Sequence, residues 1–103
     1  MKRRYLATSS TSRRKQLATY ALLRPTFLQA HPVCQSCKAE RATELHHKAG
    51  RRGEWLNYTP FFLALCSSCH RWIHDNGKAA EDQGLLVRIR VPFRDYIKQH
   101  PNF

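Results

Sequence analysis

Residues 66–74 read CSSCHRWIH, two cysteines at C-x2-C spacing with two histidines behind them. A matching pair, Cys34-x2-Cys37, stands upstream. Thiolates paired on two tight turns can converge on one tetrahedral zinc, which takes four ligands and accepts sulfur readily. The spacing therefore predicts a structural zinc held by Cys34, Cys37, Cys66 and Cys69. A redox role is the rival for any such pair, but no thioredoxin-like alternation of strands and helices surrounds either one. CSSCH is also the attachment string of a c-type haem. A haem needs a distal ligand and an export route, yet the only methionine is Met1, and Cys34 and Cys37 would be left without a role. Haem is excluded.

The histidines call for a second centre. A helix turns about 100° per residue, so Cys69 and His70 diverge, whereas His70 and His74 return to one face. One ion cannot easily take Cys66, Cys69, His70 and His74 together. Two sites follow: zinc at the helix start and a second cation one turn further on. That cation needs at least one more ligand, which the pair His46-His47 offers. Neighbours on a strand face opposite ways, so one ring can ligate metal while the other faces a substrate. A tandem His pair by itself is usually a surface or core feature. Four of the chain's six histidines flanking a zinc knuckle is a stronger signal. His31 and His100 read as solvent-exposed bystanders, and Trp55 and Trp72 as packing residues.

Few elements are needed to position these side chains. An extended piece around Thr43–His47 and an apolar strand, FFLAL at 61–65, flank the polar loop KAGRRGE. From Ser67 a helix carries His70 and His74 and stops near Asn76-Gly77, a C-capping pair. Upstream, Ser12 can cap a helix over Arg13–Leu23 with Leu17, Tyr20, Ala21 and Leu23 on its apolar side. Pro25 breaks it and opens a second short helix bearing Phe27 and Leu28, ended by His31-Pro32. Residues 1–11, basic and rich in Ser and Thr, form a flexible arm, and residues 12–103 one domain. Downstream, KAAEDQ adds a helical turn, LLVRIRV reads as a strand, and the tail PFRDYIKQHPNF carries no clear signal.

A chain of 103 residues gains only marginal stability from burial, and a structural metal is a common remedy. Lys and Arg number 18 against 7 Asp and Glu, a net charge of +11. Such an excess favours a polyanionic partner, nucleic acid before anionic membrane. No apolar run approaches the roughly 18 residues of a membrane span. The basic N-terminus is followed by an apolar stretch of only Tyr5–Ala7, too short for a signal peptide. The chain therefore reads as intracellular, where four cysteines point to metal rather than disulfides.

ELHHKAGRRGEWLNYTPFFLALCSSCHRWIH, residues 44–74, resembles the core of an HNH endonuclease of the zinc-stapled bacterial and phage branch. Glu44-Leu45-His46-His47 is also similar to the nuclease domain of DNA-cleaving colicins. The likeness runs from Cys34 to about Leu86. It implies a small α+β fold: a ββα-metal (His-Me finger) core with a four-cysteine zinc knuckle, preceded by N-terminal helices. It implies a metal-dependent DNA endonuclease in the cytoplasm of a bacterial cell or phage-infected host, taken as a monomer and making no membrane contact. By position, His46, His70 and His74 hold the catalytic ion (Mg²⁺, Mn²⁺, Ni²⁺ or Zn²⁺) and His47 is the general base. Glu44 is a candidate to orient a basic neighbour. Many members place the middle Asn where this chain has Phe61, so Asn57 is the candidate orienter. Arg51, Arg52 and Arg71, close to the histidines in sequence, are candidates for phosphate contact. The alternative is a non-catalytic zinc module that binds nucleic acid.

Overall fold

β1 (Glu44–His47) and β2 (Phe62–Leu65) form an antiparallel pair in which His46 lies opposite Leu63 and His47 opposite Phe62. Period-two alternation then sends the two histidines to opposite faces of the ribbon. The connection is long and structured. Lys48 N–H bonds the Phe61 carbonyl, and two 3-10 turns, Gly53–Asn57 and Thr59–Phe61, fill the span. The computed structural model describes residues 2–101, with side chains from Thr11 onward. Among them the architecture is small α+β, four helices around this two-stranded sheet.

α1 (Lys2–Ala30) is one continuous helix with Pro25 inside it, where a cap at Ser12 and a break at Pro25 were expected. Pro25 removes one helical hydrogen bond, to the carbonyl of Ala21. Both residues are solvent-exposed, so water can satisfy that carbonyl. Tyr20 and Leu23 before the proline and Phe27 after it share the half-buried face, which holds the helix together across the fault. That face repeats at 13, 16, 20, 23 and 27, and leaves Leu17 and Ala21 on the solvent side, contrary to the apolar stripe expected. The side chains of the expected flexible arm, residues 1–11, lie outside the described ones up to Ser10.

α1 is fastened by polar contacts as well as rings. Asn57 Nδ2 donates to the Gln16 carbonyl at 3.0 Å and Arg24 to the Thr43 carbonyl at 3.3 Å. Tyr20 and Phe27 meet Phe62 edge-on, at 6.4 and 5.4 Å between centroids. His31, expected in solvent, is half-buried and tilted against Phe27.

α2 (Ser67–Asp75) follows β2 directly, capped by the Cys66 sulfur, and ends at Asn76. α3 (Gly77–Asp82) comes next. The core joins Leu65, Ile73 and Ala80 to Cys34 and Cys66. LLVRIRV is no strand. It runs as an irregular strap past the end of β1, tied by backbone bonds from Leu85 N–H to the Ala80 carbonyl and from Val87 N–H to the Lys48 carbonyl. The tail folds into α4 (Phe93–Gln99), whose Phe93 and Tyr96 pack edge-on against Trp55 at 4.9 and 5.3 Å. No helix among the described residues is long and apolar enough to cross a membrane.

Candidate metal centre and histidine cleft

The two C-x2-C turns are built alike. Cys37 N–H points to the Cys34 sulfur and Cys69 N–H to the Cys66 sulfur, each at 3.5 Å. They are brought together by Gln35, which sequence reasoning passed over. Its backbone N–H bonds the Ala64 carbonyl and its side-chain oxygen accepts from Ala64 N–H, both at 2.8 Å. The first turn thus lies along β2 just ahead of the second. All four sulfurs fall within 4.8 Å of one another, and none forms a disulfide. Around a tetrahedral zinc, sulfurs at 2.3 Å from the metal stand about 3.8 Å apart, so the quartet fits with a small contraction.

The thiols also behave as a set. Burial raises the Cys34 thiol, but backbone N–H groups of Cys66, Cys37 and Ser36 win and bring it down to about 6. Burial and bonds from the other three cysteines push Cys69 up to about 12. A bound cation would favour the thiolate form that ligation requires.

The second cluster faces α2. The ring of His46 meets that of His70 at 5.1 Å and that of His74 at 6.5 Å, and the two helix rings stand 4.9 Å apart. Three imidazoles on one ion at 2.0–2.1 Å would place ring centroids about 5 Å apart. Two pairs have that spacing, and a rotation of the exposed His74 would bring the third to it. Among the described residues, only the cysteine quartet has all its ligand atoms within 4.8 Å.

The hydrogen bonds fix which nitrogen each histidine has free. His46 Nε2 lies 2.8 Å from the Leu85 carbonyl, which can only accept, so Nε2 carries the proton and Nδ1 keeps its lone pair. His70 Nδ1 donates to Glu44 Oε1 at 2.6 Å, leaving Nε2 free. A metal-binding histidine usually gives its other N–H to a carbonyl or carboxylate in this way. Burial lowers the pKa of His46, the Leu85 carbonyl opposes that, and His70, His74 and Lys48 lower it further. A neutral, tautomerically fixed ring is suited to ligation.

His47 is on the other face, buried beside Tyr20 and Phe62 with centroids at 5.3 and 5.2 Å. Its Nε2 donates to the Leu56 carbonyl at 3.0 Å, so Nδ1 is the basic nitrogen. Burial, then the Arg51 guanidinium, hold its pKa down at about 4 against the pull of that carbonyl. The ring is neutral throughout the physiological range.

Asn57 does not touch His47. It ties the 3-10 turn to α1, and its Oδ1 is buried without a partner. Its neighbour Leu56, wholly buried, offers the carbonyl instead. Arg51 stands over the Tyr20 ring at 5.2 Å, whereas Arg52 and Arg71 are exposed. A cleft of about 360 Å³ is lined by His46, His47, His70, His74 and Arg51. Comparison with protein-family models, with curated proteins and with solved structures finds no match.

Proposed function

We propose that this chain is a metal-dependent DNA endonuclease of the HNH kind, with a structural zinc on Cys34, Cys37, Cys66 and Cys69 and a divalent cation on His46, His70 and His74. One observation carries the reading. A buried histidine, tautomerically fixed by a backbone carbonyl, is among the residues lining the same small cleft as three neighbouring histidines, two of them with N–H groups already committed to a carbonyl or carboxylate. A zinc-only scaffold has no use for that second arrangement.

A divalent ion, which His46, His70 and His74 would hold, would supply Lewis-acid polarisation of the scissile phosphate. The chain's own residues do the rest. His47 Nδ1 takes a proton from the attacking water while Nε2–H stays on the Leu56 carbonyl, which keeps the ring from turning as charge develops. The water oxygen bonds to phosphorus as the P–O3′ bond breaks, the 3′-oxygen takes a proton from solvent water and His47 returns its own to solvent, leaving 5′-phosphate and 3′-hydroxyl ends. Arg51, at the cleft wall, balances phosphate charge. Glu44 acts through His70, orienting its ring and raising its basicity as a ligand. Asn57 acts on the scaffold that presents the Leu56 carbonyl.

The test is incubation of metal-stripped, zinc-repleted protein with supercoiled plasmid against a panel of Mg²⁺, Mn²⁺, Ni²⁺ and Zn²⁺. Nicked or linear product with at least one ion is expected, and the ratio of the two reports strandedness. Intact plasmid with every ion would leave the basic zinc module that binds DNA without cutting it.

A further inference from the structure

Beside the histidine cleft lies a second, basic groove. Its volume is about 440 Å³, and its walls are Lys48–Gly50 on one side and the strap Leu86–Arg90 on the other. Gly50 and Leu86 line both cavities, so the two are adjacent. Gly50 is at φ +89°, and a Cβ built there meets nothing within 4 Å, so no side chain crowds this shared residue.

The strap is oriented for an anionic occupant. Along it Val87 and Ile89 are half-buried while Arg88 and Arg90 are exposed, the Arg88 guanidinium reaching toward Gly77 and Glu81 of α3. Across the groove lies Lys48, whose ammonium stands over the Phe61 ring at 5.7 Å. The opposing charge is small: Glu81 pairs with Arg88 at 3.2 Å, partly exposed, and Arg90 has no acidic partner among the described residues. The backbone N–H groups of Arg88, Ile89 and Arg90 have no protein acceptor there either. An irregular strap with free amides and alternating arginines presents the donors that phosphate backbones use.

The strap is also tied to the histidine site. The Leu85 carbonyl that holds His46 begins it, and Val87 N–H pins it to Lys48 at 2.9 Å. We propose that this groove is the track for the DNA strand leaving the histidine cleft, with Lys48, Arg88 and Arg90 gripping the phosphates that flank the scissile one. The identity of the occupant rests on the nuclease reading. The groove itself rests on the charges and the free amides.

The experiment measures binding of the zinc-loaded full chain to a fluorescent 20-base-pair duplex by anisotropy across a salt series, without added divalent ion. Arg88→Ala/Arg90→Ala is compared with Lys78→Ala/Lys98→Ala, which removes the same charge away from the groove. Circular dichroism verifies each fold, and Arg90→Glu alone serves if the double variant misfolds. Two lost phosphate contacts should lower the log–log salt slope by about 2 and weaken binding roughly tenfold or more. The Lys78/Lys98 pair should barely change the slope. Equal effects of the two pairs would overturn the proposal. Loss of slope in a protein that cuts no plasmid keeps the groove and discards the nuclease. Normal slope in a protein that cuts discards the groove and keeps the nuclease.

Discussion

Replacing Glu44 by Gln should weaken the second metal site without loosening the fold. The carboxylate accepts a hydrogen bond from His70 Nδ1–H at 2.6 Å, a short, charge-assisted bond. Glutamine preserves length and can still accept, but it withdraws the negative charge that makes Nε2 a better donor to metal. Removing such outer partners typically costs 10–100-fold in metal affinity. The low end applies, because the Glu44 side chain is 41% exposed and that of His70 22%, and water screens their attraction. The expectation is about tenfold weaker binding, close to 1.4 kcal/mol. Isothermal titration of zinc-loaded protein with Ni²⁺ or Mn²⁺ measures it, with His70→Ala as the reference for loss of a ligand. Affinity within twofold of wild type in Glu44→Gln, alongside a large loss in His70→Ala, would refute the coupling and make Glu44 a solvated carboxylate.

The zinc should hold the fold, since structural zinc contributes about 10–16 kcal/mol in small finger peptides. Cys34→Ser, at a wholly buried ligand, should give zinc-free protein without helical circular dichroism, and soluble helical protein would contradict this. His47, with its pKa near 4, remains neutral down to pH 6. Cleavage at saturating divalent ion should therefore change less than about twofold between pH 8 and 6, whereas a base titrating near 6.5 would be mostly protonated there. The same depression means that acid favours the unfolded chain. The stability it contributes is complete above about 6.5 and is lost as pH falls toward 4, visible in urea midpoints measured across that window. Tyr96→Ala should undock α4 from Trp55, costing on the order of 2 kcal/mol for a half-buried ring and shifting tryptophan fluorescence. Unchanged fluorescence and stability would mean that α4 does not depend on the ring cluster.

The cysteine knuckles and the β2–α2 junction were legible because ligand spacing, an apolar run and a C-capping pair all pointed the same way. The groups that orient the histidines were not. Leu56 and Leu85 act through backbone carbonyls, which every residue owns, so no side-chain pattern announces them. Gln35 joins the knuckles through a contact across 29 residues of chain that local reading cannot see. LLVRIRV alternates like a strand, yet β1 ends at His47 and offers it only the Lys48 carbonyl. Pro25 reads as a break because propensity is local. Tyr20, Leu23 and Phe27 on one buried face override it. In the tail, Phe93 and Tyr96 are three apart, which is helical spacing. It becomes meaningful only once Trp55 is in place to receive them.

His46 as ion ligand and His47 as base make opposite predictions for two adjacent, equally buried rings. The decisive measurement is single-turnover plasmid cleavage by His46→Ala and His47→Ala, with metal content determined on the same samples. His46→Ala should lose the second metal and its activity together. His47→Ala should keep both metals and the fold, yet cut about 10²–10⁴-fold more slowly. Near-wild-type cutting by His47→Ala, or loss of the second metal in His47→Ala but not in His46→Ala, would contradict the assignment.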